Sequence, residues 1–238
     1  MGSRQILRGV SFDLDRGVVA VVGPNGSGKT TLLRCLAGLL PVSQGEVRVA
    51  GFDVTSRSDA ARARSQLGYL PQDPSFLEHL SVREAVLYAA WLHRVAPSER
   101  EAAVDRALAE LDLRDVARRR LRRLSRGTRR RAYVAQALVH RPRVLLLDEP
   151  TVGLDPEHRV DLRRLIRRLA VGRLVLLTTH LTEDVELLPD RVLALVDGTV
   201  RFEGTPDALI SIAGEGGVDG DERPVERALR IVGGRPLG

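Results

Sequence analysis

VVAVVGPNGSGKT, Val18–Thr30, is the stretch that decides the fold. Val18 to Val22 is a short β-branched run, the pattern of a buried strand. Gly23 to Thr30 follows without a break and matches G-x-x-x-x-G-K-[ST]. A helix is expected next, from about Gly28 to Leu39, closed by Pro41. Strand, glycine-rich turn and helix in that order build a phosphate cradle. The glycines let the backbone fold tightly, so that its N–H groups point at phosphate oxygens. The helix start adds the positive end of its dipole. Gly23, Pro24, Asn25, Gly26, Ser27, Gly28, Lys29, Thr30 and Thr31 are therefore the candidate nucleotide-binding residues. In this arrangement Lys29 reaches the β- and γ-phosphates, and the Thr30 hydroxyl coordinates Mg²⁺.

Composition singles out the same lysine. The chain has 238 residues and 37 Lys plus Arg, of which Lys29 is the only lysine. A coding bias towards Arg accounts for the rest. It does not account for the exception, where a compact ammonium is hard to replace by a planar guanidinium. The length is ample for a sizeable core. Apolar residues at 43% and charged residues at 29% fit an ordinary globular protein. Aromatics at 3% leave Leu, Val and Ala to fill the interior. One cysteine, Cys35, excludes an internal disulfide framework and suits a reducing compartment. No apolar run approaches the ~20 residues of a membrane-spanning helix. The N-terminus, MGSRQILRGVSF, lacks the apolar core of a secretory signal. The expectation is a cytoplasmic chain that does not cross a membrane by itself.

A second chemical motif stands far downstream. VLLLDEP, Val144 to Pro150, is an apolar strand ending in two acids. Adjacent carboxylates at the end of a buried strand are costly unless a cation is present. Asp148 fits the role of holding Mg²⁺ through water, and Glu149 that of general base towards an attacking water.

Around these motifs the chain alternates between strand and helix patterns. Glu46 to Val49, Leu67 to Leu70, Leu174 to Thr178 and Val192 to Val196 read as strands. Ser81 to Leu92 reads as a helix with a Ser81/Glu84 capping box, and Ser98 with Glu101 makes a second box before Val104 to Leu111. Gly127 to His140 and Pro156 to Ala170 complete the helices. The pattern predicts an α/β, P-loop NTPase core with a mainly parallel sheet and a small N-terminal antiparallel β part. An all-helical subdomain, about 74–140, is inserted in it. The domain is expected over 1–210. The glycine-rich 211–238 reads as a flexible tail in which only Val225 to Val232 looks ordered.

Four more elements narrow the class. YLPQ places Gln72 after a strand. LSRGT, Leu124 to Thr128, stands before a helix, 20 residues ahead of Val144. GLD, Gly153 to Asp155, follows the acidic strand end. TTH ends a strand at His180. In order and spacing, across roughly residues 5 to 210, these resemble the Q-loop, signature, D-loop and switch histidine of the ATP-binding subunits of ABC transporters. The resemblance implies two subunits enclosing two ATP–Mg²⁺. Lys29, Thr30, Gln72, Asp148, Glu149 and His180 of one would face Ser125 and Gly127 of the other. Gln72 would sense both Mg²⁺ and a transmembrane permease. The implied partners are a second nucleotide-binding subunit, in a homodimer, and the permease that holds the chain at the inner face of the membrane.

Two departures from the family pattern matter. Arg126 and Thr128 replace the family's first Gly and its Gln in the signature, a variation that resembles the drug- and antibiotic-exporting branch. The family also stacks adenine on an aromatic roughly 30 residues before the lysine, a type of contact worth ~1–3 kcal/mol in single-strand nucleic-acid binders. Lys29 stands too close to Met1 for that position to be present, and Phe12 is expected to pack in the small sheet. Either the natural chain starts upstream, or adenine is held by weaker contacts and this sequence binds ATP modestly. Arg118 to Arg131 carries nine arginines. It lacks interleaved aromatics, which favours a solvated basic face over a nucleic-acid site. The alternative, a related ATPase acting on nucleic acid or ribosomes, usually has a long insertion or two tandem cassettes. Gln72 to Ser125 leaves only about 50 residues for one. A third possibility, a regulatory module without turnover, is disfavoured by the intact Glu149 and His180.

Overall fold

The structure is a computed structural model and describes residues 5–74, 78–214 and 223–234. In chain order its elements begin with β1 (Gly17–Val22), α1 (Lys29–Leu36), β2 (Arg48–Val49), β3 (Phe52–Asp53), α2 (Ala60–Ser65) and β4 (Leu67–Leu70). Three helices follow: α3 (Val82–Leu92), α4 (Arg100–Glu110) and α5 (Arg126–Leu138). Then come β5 (Val144–Asp148), α6 (Pro156–Leu169), β6 (Leu174–Thr178), α7 (Thr182–Leu187), β7 (Arg191–Val196) and β8 (Thr199–Gly204). The described chain ends with α8 (Pro206–Gly214) and α9 (Pro224–Val232).

Six strands form one sheet in the order β4-β5-β6-β1-β7-β8. All neighbours are parallel except β7 and β8. β2 and β3 are the small antiparallel pair. Side chains alternate across the sheet and so divide two apolar layers. Val19, Val21, Leu146 and Leu176 pack with Leu32 and Leu33 of α1. Val18, Ala20, Leu145, Leu147 and Leu177 pack with Leu165 and Ile166 of α6 and with the helices α3 to α5. Parallel strands put their C-terminal ends on one edge, and register aligns them there. Thr178 pairs with both Val21 and Asp148. Leu70 pairs with Leu147, so Gln72 and Glu149 leave the sheet at the same level.

The helical stretch carries one correction. Ser81 and Glu84 form their box, with Glu84 Oε2 accepting from Ser81 N at 2.7 Å and Ser81 Oγ accepting from Glu84 N at 3.2 Å. The second box does not form. Pro97 opens a 3₁₀ turn, Pro97–Glu99, and α4 starts at Arg100 with no side-chain cap. Glu101 instead pairs, beside Asp105, with Arg83 of α3. An ion pair between helices has displaced a cap within one.

At the C-terminal side, β8 was not anticipated, because its TVRFEG alternation is half-exposed and polar. α8 runs through the expected boundary at 211. Within the stretch read as a tail, 223–234 holds α9, packed against α7, α8 and β7. Its Val225 and Ala228 are buried, since the helix presents one apolar stripe to the core. Residues 1–4, 75–77, 215–222 and 235–238 lie outside the described residues. Among those described, no helix is long and apolar enough to cross a membrane.

Candidate active site

The turn between β1 and α1 is compact because glycine allows it. Gly23 has φ 148°, and a Cβ there would run into the carbonyl of Leu195. Gly28, the residue before α1, has φ 107° and lies under Leu7 and Ile6. Lys29 is only 7% exposed. Its Nζ donates to the carbonyls of Gly23 at 2.8 Å and Pro24 at 3.0 Å. Burial pushes the ammonium below the ordinary lysine pKa, and the Glu149 and Asp148 carboxylates oppose that shift. The lysine therefore spans the loop as an anchored cation next to two acids.

The acids diverge as their places in the strand require. Asp148 ends β5 and is 1% exposed. Its Oδ1 accepts from Thr178 at 2.6 Å and from Thr30 at 3.2 Å. Its Oδ2 is buried without a hydrogen-bond partner among the described residues. A buried carboxylate oxygen left over beside a hydroxyl suits a hydrated divalent cation. Among the described residues no cluster of three or more His, Cys, Asp or Glu forms a ready-made metal cage. The donor set thus fits Mg²⁺ arriving with a nucleotide, completed by water and phosphate oxygens.

Glu149 turns the other way. It adopts φ 48°, a left-handed conformation that costs a non-glycine residue free energy and is common at functional sites. Its N–H donates to Thr178 Oγ1 at 2.9 Å. The carboxylate is then gripped from both sides: Gln72 Nε2 donates to Oε2 at 3.0 Å, and His180 Nδ1 stands 3.1 Å from Oε1. These groups line a cleft of about 930 Å³ with Asn25, Gly26, Gly28, Lys29, Thr30 and Thr31. Gln5, Ile6, Arg8, Asp197 and Gly198 line it as well. Phe12 is not among the lining residues; it packs in the β1–α1 layer.

Ser125, Gly127 and Asp155 are not among the residues lining this cleft. Ser125 caps α5: its Oγ accepts from Thr128 N at 3.2 Å and lies 2.9 Å from Thr128 Oγ1. Gly127 is buried, with no room for a Cβ beside the ring of His158. Asp155 caps α6, accepting from His158 N at 3.0 Å, and its carboxyl lies below the usual range because His158 hydrogen-bonds to it. One residue of the arginine run belongs to the site, unforeseen. Arg130 donates to the carbonyls of Gln72 at 3.3 Å and Glu149 at 3.2 Å. Burial lowers its pKa. Its only sequence signal was a place four residues after Arg126 on a helix, on the same face. Thr178 was likewise missed, since it read as the end of an apolar strand.

A strand–loop–helix phosphate cradle, a second acidic strand end and a parallel sheet between helices define a P-loop nucleoside triphosphatase. The comparisons carry this further. The family described as ABC transporter matches residues 7–152. Daunorubicin resistance ATP-binding protein DrrA3 of Streptomyces coeruleorubidus is 39% identical over 220 residues, covering 92% of this chain and 69% of its own. Nod factor export ATP-binding protein I of Rhizobium meliloti is 37% identical, covering 99% and 67%. An uncharacterized ABC transporter ATP-binding protein of Bacillus subtilis, YdbJ, is 37% identical, and this chain spans 65% of it. The solved structure of cbiO1 from Clostridium perfringens, part of the ABC transporter complex cbiONQ, superposes with a TM-score of 0.79 at 30% identity, covering 87% of this chain and 84% of cbiO1. The chain belongs to the ABC transporter family of ATP-binding proteins, the ATPases that power transport.

Proposed function

We propose that this chain hydrolyses ATP within a dimer and drives a membrane exporter. The observation that carries the reading is the grip on Glu149 by Gln72 and His180, next to the Lys29 loop and the unpartnered oxygen of Asp148. The backbone of Gly23 to Thr31 and the Lys29 ammonium would hold the phosphates. Magnesium would neutralise charge on the β- and γ-phosphates, with Thr30, Asp148 and Gln72 as the residues that hold it. Glu149 would take a proton from the attacking water, and His180 would fix the γ-phosphate against it.

Ser125 and Gly127 lie outside this cleft, which supports their service to the nucleotide of a second copy. Asp155 would stand at the same interface. The nucleic-acid reading loses support, because Arg126, Arg129 and Arg130 of the basic run are engaged by Gly153, Glu78 and the Gln72 and Glu149 carbonyls. On α3 the exposed rings of Tyr88 and Trp91 stack 5.8 Å apart, an apolar surface suited to a permease at the inner face of the membrane. The printed names of the relatives, daunorubicin resistance and Nod factor export, support export as the direction. Glu149→Gln tests the proposal. It should keep ATP binding, lose turnover and accumulate an ATP-dependent dimer in size-exclusion chromatography. Turnover near the parent rate would remove Glu149 from the role of base.

A further inference from the structure

Beneath the cleft lies a buried polar knot that none of the site's motifs explains. Asp184, on the first turn of α7, is 1% exposed. Its Oδ2 accepts hydrogen bonds from two hydroxyls: Thr151 Oγ1, and Thr179 Oγ1 at 3.1 Å. Both threonines are fully buried. Thr151 lies two residues after Glu149, and Thr179 is the residue before His180. Arg163 of α6, itself 7% exposed, places NH1 3.6 Å from Asp184 Oδ1 and donates to the carbonyl of Glu183 at 3.3 Å. α6 is the helix capped by Asp155. A charged group is expensive in an apolar interior unless its partners are complete. Here the partners come from three segments, each leading to a different functional residue: two hydroxyls on Oδ2 and the Arg163 guanidinium facing Oδ1, which has no hydrogen bond among the described residues.

We propose that Asp184 is a positioning residue for hydrolysis: its carboxylate clamps the loop of Glu149 to the loop of His180. With hydroxyls donating to Oδ2 and the Arg163 guanidinium facing Oδ1, the position suits a group that accepts at both oxygens. Two threonine hydroxyls aimed at one oxygen can both donate to a carboxylate, and Thr179 Oγ1 in turn accepts from Leu181 N at 3.0 Å, closing the turn that carries His180. With both loops pinned to one oxygen, the 3.1 Å separation of His180 Nδ1 and Glu149 Oε1 is held before nucleotide enters. Neither threonine nor Asp184 lines the active-site cleft, so the clamp acts on turnover and not on affinity. The inference rests on the proposed roles of Glu149 and His180.

The test is steady-state ATPase of the full chain, at protein concentrations that favour pairing, in Thr151→Val, Thr151→Ser and Asp184→Asn. Thr151→Val keeps the shape and removes one donor. It should lower kcat about tenfold, as expected when a catalytic group loses its alignment, while KM for ATP stays within twofold. Thr151→Ser restores the hydroxyl and should restore kcat. Asp184→Asn should follow Thr151→Val; should it fail to fold, the two Thr151 variants decide alone. A parent-level kcat in Thr151→Val, or a loss that Thr151→Ser leaves unrepaired, overturns the clamp. Glu149→Gln is assayed alongside. If it hydrolyses ATP normally, the reading of the site falls first and the clamp with it. If it is inactive while Thr151→Val is not, the clamp alone is wrong.

Discussion

Gln72 donates its side-chain amide to Oε2 of Glu149 at 3.0 Å, across 77 residues of chain. The sheet arranges the meeting: Leu70 and Leu147 are register partners, and both residues stand two positions beyond. Gln72→Ala leaves the Glu149 carboxylate with His180 as its remaining hydrogen-bond partner among the described residues. Turnover should fall about tenfold, because an unaligned base takes the proton from the attacking water in fewer of its orientations. Binding of a fluorescent ATP analogue without Mg²⁺ should change less than twofold. Equal losses in both measurements would mean that Gln72 supports the cleft and does not align the base.

Arg130 separates itself from the other arginines by its bonds to two buried-loop carbonyls. Removing it strands those acceptors. Arg130→Met should therefore cost about 1–3 kcal/mol of stability. Arg122→Ser, on the exposed part of the same run, should stay within about 0.5 kcal/mol. Denaturant midpoints of the two variants check the contrast. Equal midpoints would return Arg130 to the solvated face.

That contrast shows what the sequence could and could not reveal. Val18–Thr30 and Val144–Pro150 declare themselves because each motif is contiguous and its chemistry is local. Strand cores such as Leu174–Thr178 are legible for the same reason. Arg130, Thr178, Thr151 and Asp184 act through bonds that reach 19 to 58 residues along the chain, Asp184 with a nearer one to Thr179 besides, and no local pattern marks such a long-range bond. The Ser98/Glu101 box misled because an interhelical ion pair at Arg83 competed for Glu101. The ordered piece expected at Val225 to Val232 is α9, but the composition of the C-terminal stretch did not show that its two buried side chains pack against α7 and α8.

Gly127 sits where the ring of His158 closes over α5, so a methyl group has no space there. Gly127→Ala should destabilise the chain by about 1–3 kcal/mol through overpacking. Adding His158→Ala should recover much of that loss, since it removes the obstructing ring. A double variant no more stable than Gly127→Ala would place the cost in the backbone of α5. The same pair bears on Asp155, because His158 N is the donor that it caps.

His140 links the end of α5 to the sheet. Its Nε2 lies 3.0 Å from the carbonyl of Leu67, which can only accept, so Nε2 carries the proton of the neutral ring. Nδ1 is buried without a partner among the described residues. The ring of His93 stacks on it, 3.7 Å between centroids and 7° from parallel. Burial, with the His93 charge, lowers the pKa of His140 from 6.5 to about 4. Between those values the unfolded chain takes up a proton that the folded chain refuses. Stability therefore falls as pH drops from 6.5 towards 4, by on the order of 3 kcal/mol at this site. His140→Gln keeps a donor for Leu67 and has no proton to gain. Urea unfolding at pH 7 and pH 4.5 should show a smaller drop in the variant than in the parent. An equal drop would leave His140 without a part in the acid sensitivity and assign that sensitivity to the other titrating groups, the buried ring of His93, whose pKa burial also lowers, among them.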